Sequence, residues 1–159
     1  ENMLMVGDRG MITAARITAL RQVGGMGWLT ALRAPQIAAL AAADGPLQMS
    51  LFDEQNFAEI SHPDYPGGRL IVCRNPALAD ERARKRTELL DATEAELGKI
   101  VAAVTGGRLS GAAKIGMRVG KVWGKYKVGK HFHVDITDTS LTVTRNRDRI
   151  DAEAALGGI

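Results

Sequence analysis

The amino-acid sequence predicts a mixed α/β fold, and three features of the chain support this assignment. The start of the chain predicts a strand, a helix and a second strand within about thirty residues, the pattern of a crossover unit with parallel strands. Two longer helices with apolar faces follow in the second half of the chain. Shorter segments of strand character lie on either side of those helices and predict two hairpins.

The apolar run Met3–Val6 predicts the first strand, since four residues are too few for a helix and glycines follow closely. An unbroken apolar run is typical of a strand that is buried on both faces. Asp8 comes next and is expected at the carboxyl end of this strand, where α/β proteins place functional side chains. Aspartate is also a favoured N-cap residue, so Asp8 capping the next helix is the alternative.

The elements after Asp8 alternate between helices and strands as far as the middle of the chain. Their order is helix 11–23, strand 26–32, helix 34–43, strand 57–60 and strand 69–74. The last two strands are joined by a long loop rich in turn residues, so we expect them to pair. Cys73 lies in the apolar run of the second of them and is therefore expected to be a buried, reduced thiol.

The longest helix is predicted to begin at Asn75 and Pro76, a favoured cap followed by a favoured first-turn residue, and to end near Val104. Its apolar residues recur at helical spacing and predict one buried face. That face comprises Leu90, Leu97, Val101 and Val104, with Leu89 and Ile100 beside it. A further helix is expected to run from a cap at Ser110 to Tyr126.

The helix that ends at Tyr126 carries three parallel lines of residues. The apolar line is Ile115, Val119, Val122 and Tyr126; the glycine line is Gly116, Gly120 and Gly124; the basic line is Lys114, Arg118, Lys121 and Lys125, prolonged by Lys127 and Lys130. The glycines weaken the helix but would allow another backbone to approach closely. The basic line suits the phosphate backbone of a nucleic acid, and a solvated surface that binds nothing is the alternative.

The C-terminal region predicts a hairpin whose first strand alternates apolar and polar residues around Phe132. His131, His133 and Asp135 would then share one face, where they are either zinc ligands or plain surface residues. Residues 137–140 predict the turn, and residues 147–156 predict a short final helix or polar connector.

Composition limits the classes of protein to which the chain can belong. The formal net charge is +3, with 21 basic and 18 acidic residues, a mild bias toward anionic partners. One cysteine excludes an internal disulfide. No apolar run approaches the ~18 residues of a membrane span, and no signal peptide pattern opens the chain, so we expect a cytoplasmic protein. Because the chain enters a strand almost at once, we also expect it to be a piece of a longer protein.

An ordered series of short motifs runs through the chain. It comprises VGDRGM at 6–11, GWLTALR at 27–33, FDE at 52–54, ISHPDYPG at 60–67, LIVCRNPA at 70–77, ARKR at 83–86 and GKYKVGKHF at 124–132. The series resembles bacterial insertion-sequence transposases of the DDE class, in the IS-four group. The first two motifs resemble the segment around the second aspartate, and the others resemble a long insertion in one branch of that group.

This resemblance implies a partial ribonuclease-H-like catalytic core at residues 1–33, followed by an insertion subdomain at residues 34–159 with two hairpins and two long helices. Such cores use three acidic residues and two divalent ions, Mg²⁺ or Mn²⁺, for DNA cleavage and strand transfer. Asp8 corresponds to the second acid, as a catalytic residue and metal ligand. The implied partners are transposon-end and target DNA, with a homodimer of the whole protein and no membrane.

Two features of the family are missing from this sequence. No upstream strand supplies the first aspartate, and the family's final motif of Tyr, Arg, Glu and Lys along one helix is absent. With one acid of three, the chain is expected to be catalytically inert by itself. Its core sheet would lack a central strand and have exposed edges. The basic line from Lys114 to Lys130 is expected to contact the DNA backbone and to fix register without reading bases.

Two other classes of protein remain open from the sequence. The first is a noncatalytic DNA-binding or dimerisation module, in which Asp8 is only a helix cap. The second is a different metal-dependent hydrolase that carries the same aspartate at a strand end. The substrate, DNA or a small phosphoester, distinguishes this hydrolase from a transposase.

Overall fold

The computed structural model describes residues 3–11, 13–42, 45–52 and 55–159. The α-helices are α1 (Ala14–Gln22), α2 (Ala34–Leu40), α3 (Pro76–Thr105), α4 (Ala112–Tyr126) and α5 (Arg147–Ala155). The strands are β1 (Met3–Val6), β2 (Met26–Leu29), β3 (Phe57–Ile60), β4 (Leu70–Cys73), β5 (Phe132–Ile136) and β6 (Leu141–Arg145), and 3-10 turns occupy Met49–Phe52 and Gly129–His131. The predicted mixed α/β class is confirmed. Ile12 and Ala43 of the predicted helices, and Asp53 and Glu54 of the FDE motif, lie outside the described residues.

The chain divides into two units, an N-terminal unit (Glu1–Ile71) and a C-terminal unit (Val72–Ile159), with the division inside β4. The six strands form three two-stranded sheets, β1–β2, β3–β4 and β5–β6, among the described residues. The sequence analysis places a domain boundary between residues 33 and 34. That boundary comes from the family resemblance and stays a prediction.

In the N-terminal unit, β1 and β2 are parallel, with Met3 opposite Met26 and Val6 opposite Leu29, as the crossover pattern predicts. The helix α1 connects the two strands and packs on β2. β2 ends at Leu29, three residues earlier than predicted.

The prediction that β1 is buried on both faces is wrong. Met3, Leu4 and Val6 are 62 to 68% exposed, and Met5 is 42% exposed. An apolar strand is stable in the core only if other elements cover both of its faces. One neighbouring strand and one short helix are too few elements to do so. Among the described residues, no third strand pairs with β1 and β2.

The rest of the N-terminal unit is built on short elements. α2 has Pro35 in its first turn, as predicted, and the Arg33 N–H donates to the Gln36 side chain at 2.9 Å. Among the residues of this unit that the structure describes, the buried apolar ones are Leu40, Leu47, Phe52 and Ile60. β3 and β4 pair, and the Arg69 guanidinium next to β4 forms two hydrogen bonds with Glu59 of β3, at 2.8 and 2.7 Å.

The prediction of a buried Cys73 thiol is wrong, because Cys73 is exposed. Its neighbour Val72 is buried, whereas Ile71 is exposed like Cys73. Successive side chains of a strand point to opposite faces, so the position of Val72 places Cys73 outside. An apolar run of four residues does not indicate which alternate residues face the core.

The C-terminal unit is organised around α3, whose start and end match the prediction. The Asn75 side chain caps it by accepting from the Leu78 N–H at 3.1 Å. Its buried residues are Leu90, Thr93, Leu97, Ile100 and Val104. Leu89 is 41% exposed and lies off this face. The sequence pattern did not indicate Thr93, whose buried hydroxyl donates to the Leu89 carbonyl at 2.6 Å.

The helix α4 and the antiparallel hairpin β5–β6 pack against α3 and enclose one apolar core. The predicted turn is present, since the Thr137 N–H donates to the Ser140 carbonyl at 3.0 Å. Arg145 at the end of β6 pairs with Asp91 and Glu94 of α3, at 2.6 and 2.5 Å. The final helix α5 is also present, as predicted.

Candidate functional sites

Asp8 lies just beyond the carboxyl end of β1 and is exposed. Its Oδ1 accepts from the Arg9 N–H at 2.6 Å, and its carbonyl accepts from the Met11 N–H at 2.9 Å. The Thr30 hydroxyl, just beyond the end of β2, donates to the same carbonyl at 3.4 Å. Because β1 and β2 are parallel, Asp8 and Thr30 occupy the edge where the carboxyl ends of both strands meet, as predicted.

The alternative in which Asp8 caps the next helix is wrong. α1 begins at Ala14, and its N-cap is Thr13, whose hydroxyl accepts from the Arg16 N–H at 3.4 Å. Asp8 is five residues further back and makes no contact of this kind with α1 among the described residues. Apart from the hydrogen bond of Oδ1 with the Arg9 N–H, its carboxylate makes no hydrogen bond or ion pair in the described part of the chain, and Oδ2 is open to another ligand.

Asp8 fits one position of a divalent metal site, since an exposed carboxylate oxygen is the ligand type that Mg²⁺ and Mn²⁺ prefer. Within the ranges that the structure describes, however, no group of three His, Cys, Asp or Glu side chains is placed to hold a metal ion. One carboxylate is not enough for the two-ion chemistry that the family resemblance implies. The remaining ligands of such a site would have to lie outside the residues that the structure describes.

The basic line of α4 forms a second candidate site. Lys114, Arg118, Lys121 and Lys125 are all exposed, while Ile115 and Val119 on the other side of the helix are almost completely buried. Among the described residues, none of these four cations lies within 4.0 Å of a carboxylate oxygen. We call these four residues the basic face of α4.

The two lysines that prolong the basic line are in different situations. Lys127 is exposed and forms the C-cap of α4 in a left-handed conformation, with φ of 59°. Lys130 pairs with Glu153 of α5, so its charge is already compensated. The structure therefore leaves Lys127 open to a partner, whereas Lys130 has an internal one.

One sequence prediction about α4, its N-terminal cap, is corrected. The cap at its start is Gly111, with φ of 90°, and Ser110 is not involved. Asp138 of the β5–β6 turn satisfies the first N–H groups instead, because its carbonyl accepts from Gly111 at 2.7 Å and its Oδ1 from Ala112 at 2.9 Å. The glycine line does not meet a backbone among the described residues: added methyl groups at Gly120 and Gly124 would have no neighbour within 4 Å.

The prediction that His131, His133 and Asp135 share one polar face is wrong. His131 belongs to the 3-10 turn before β5, outside the alternation of the strand, and is only 2% exposed. Its Nε2 lies 3.1 Å from the Glu153 carboxylate. His133 and Asp135 are exposed on β5. These three residues therefore cannot serve together as zinc ligands.

Glu153 contacts both Lys130 and His131. Partial burial acts to raise the pKa of its carboxyl, but the hydrogen bond and charge of Lys130, together with His131, outweigh burial and lower the pKa below its ordinary value. The ionised carboxylate therefore joins α5 to the turn that precedes β5.

A groove runs between α3 and α4. Its lining residues are Glu96, Lys99, Ile100, Arg118, Lys121 and Val122, and its volume is about 340 Å³. We call it the α3–α4 groove. Glu96 and Lys99 were not singled out from the sequence, although they flank the buried residues Leu97 and Ile100. Polar residues beside the apolar face of a helix lie at the edge of the contact with the neighbouring helix. Their position next to Leu97 and Ile100 in the sequence could have indicated them.

No protein-family model, curated protein or solved structure matches this chain. The resemblance to transposases stays a prediction from the sequence motifs. None of the helices in the described ranges has both the length and the apolar character needed to cross a membrane.

Proposed function

We propose that this chain is part of a DDE-class DNA transposase of the IS-four group, with Asp8 as one of its three metal-binding carboxylates. The observation that carries the proposal is the place of Asp8: exposed, at the carboxyl edge of two parallel strands, and not used as a helix cap. Carboxyl edges of parallel strands are where α/β proteins gather functional groups. The ordered motifs supply the family assignment.

In this function Asp8 would hold a divalent ion through the carboxylate oxygen that Arg9 does not contact. The bound ions would activate water or a DNA 3′-hydroxyl and stabilise the leaving oxygen of an in-line phosphoryl transfer. The Arg9 N–H and the Thr30 hydroxyl hold Asp8 in place from the two strand ends. Because the described residues place no further His, Cys, Asp or Glu side chain with Asp8 in a metal-holding group, we expect this chain by itself to be inert.

The basic face of α4 supports a second candidate, a noncatalytic DNA-binding module. Four exposed cations on one side of a helix, with no carboxylate within ion-pair distance among the described residues, match the charge of a phosphate backbone. This candidate is also compatible with the first, because a transposase must hold its DNA. The effect of an Asp8 substitution on DNA cleavage distinguishes the two candidates.

The test compares wild type and Asp8→Asn in the complete open reading frame that encodes this chain, in a DNA-end cleavage assay with Mg²⁺ or Mn²⁺. Asparagine keeps the shape and the hydrogen bond from Arg9 but loses the charge. We expect cleavage to fall at least about 100-fold, since a metal ligand contributes several kcal/mol to the transition state. DNA-end binding and thermal unfolding should not change.

Asp64→Asn is the matched control, because Asp64 is an exposed aspartate of the same unit in the loop between β3 and β4. It should cleave like wild type. If Asp8→Asn also cleaves at a near wild-type rate, Asp8 holds no metal and the transposase assignment is lost. If wild type binds the DNA end but does not cleave it, the noncatalytic module is the better description.

A further inference from the structure

The α3–α4 groove brings together cations that are distant in sequence. Lys99 comes from α3, and Arg118 and Lys121 come from the basic face of α4. The floor is apolar, with Ile100 buried and Val122 half-buried. The groove belongs entirely to the C-terminal unit, whose two helices pack through one core. Three positive side chains from two helices thus surround one depression.

Glu96 is the single carboxylate among the lining residues of the groove. Its Oε1 lies 2.6 Å from the Lys99 ammonium. The hydrogen bond from Lys99 is the largest influence that lowers the pKa of Glu96, and the positive charge of Lys125 adds to it. Glu96 is therefore negative at neutral pH and forms an ion pair with Lys99 of α3.

We propose that the α3–α4 groove binds a phosphate of the DNA backbone through Lys99, Arg118 and Lys121, and that Glu96 competes with that phosphate for Lys99. This inference rests on the proposed DNA binding by the basic face of α4 and deepens it. Arginine donates two parallel hydrogen bonds to a phosphate, and lysines add compact point charges. The phosphate displaces Glu96 from Lys99 when it enters.

The geometry of the basic face favours a polymer backbone over an isolated phosphate. From Lys114 to Lys125 the face extends about 16 Å along the helix axis. Arg118 and Lys121 in the groove are its middle members, and Lys114 and Lys125 continue the charge beyond both ends. One DNA strand carries one phosphate for each rise of about 3.4 Å, so a face of this length can contact more than one phosphate. A single phosphate would leave the outer cations unused.

The first experiment removes the competitor. Glu96→Gln and its matched control Glu81→Gln each delete one negative charge from an ion pair on α3, since Glu81 pairs with Lys85 at 2.5 Å. The two positions lie about 22 Å apart along the helix, well beyond the Debye length of about 8 Å at 0.15 M salt. We expect Glu96→Gln to bind a 20-base-pair duplex about threefold to tenfold more tightly than Glu81→Gln does, as measured by fluorescence anisotropy.

The second experiment removes the cation of α3. Lys99→Gln and its control Lys85→Gln have equal net charge, and both lysines are exposed and paired on the same helix. Lys99→Gln should reduce the slope of log affinity against log salt by about one relative to Lys85→Gln, because one phosphate contact is lost. Thermal unfolding of all four variants should match wild type.

The outcomes separate this inference from the function on which it rests. If both matched pairs are indistinguishable while Arg118→Gln and Lys121→Gln weaken binding, the groove inference fails and DNA binding by α4 stands. If wild type does not bind the duplex even at 50 mM salt, or none of the variants changes its binding, both fail. If an RNA duplex of equal length binds more tightly than the DNA, the assignment to DNA is overturned.

Discussion

Replacing the residue that caps the start of α4 should lower the free energy of unfolding of the chain. Ser110 is the capping residue that the sequence predicts, whereas the structure assigns this task to Asp138 in the turn between β5 and β6. We therefore expect Asp138→Ala to destabilise the chain and Ser110→Ala to have almost no effect. The comparison is informative because both residues are exposed and small.

The expected magnitude follows from the contacts of Asp138. Its carbonyl bond to the Gly111 N–H survives the substitution, so the variant loses only the bond of 2.9 Å from Ala112 to Oδ1. Loss of a capping side chain costs about 0.5 to 2 kcal/mol, and a negative charge at a helix N-terminus adds about 0.3 to 1 kcal/mol. For this exposed site we expect about 1 to 2 kcal/mol in total.

The assay is urea unfolding at 25 °C, followed by circular dichroism, with thermal unfolding as a second measurement. Ser110→Ala should stay within about 0.5 kcal/mol of wild type. Asp138→Asn keeps an acceptor oxygen but no charge, so its cost should lie between those of wild type and Asp138→Ala. Equal losses for Ser110→Ala and Asp138→Ala would refute the reasoning, because the cap would then be local.

Two further predictions concern the core and the C-terminal helix. Leu97→Ala removes a side chain that is 0% exposed between α3 and its neighbours, so it should cost about 3 to 5 kcal/mol in urea unfolding, whereas Leu89→Ala, at a position 41% exposed on the same helix, should cost less than about 1.5 kcal/mol. Similar costs for the two variants would contradict the observed facing of α3. The lowered pKa of Glu153 means that its carboxylate stabilises the folded chain above the ordinary pKa of 4.5, and that this contribution disappears as the pH falls through the lower folded-state value. Urea midpoints of wild type and Glu153→Gln should therefore differ at pH 7 and converge as the pH falls through the lowered folded-state pKa of Glu153. Asp151→Asn, which removes one negative charge from the same helix, is the control for net charge. A gap that widens in acid would reverse the sign and refute the argument.

The sequence by itself determined the features that arise from neighbouring residues. Asn75 and Pro76 marked the start of α3 because capping and the fixed φ of proline act within one helical turn. The apolar line of α4 identified its buried side, since residues three and four apart share a face. The strand, helix and strand at the start predicted a parallel pair with Asp8 at its edge, as the structure has it.

The tertiary structure decided whatever depends on residues far apart in the chain. Asp138 reaches Ala112 only because the β5–β6 turn lies beside the start of α4, and no local pattern encodes that contact. Lys99 joins Arg118 and Lys121 only because α3 and α4 pack together. The exposure of β1 and Cys73 likewise depends on what surrounds each strand. Composition and spacing set which surfaces need cover, but burial depends on the elements that the fold brings against them.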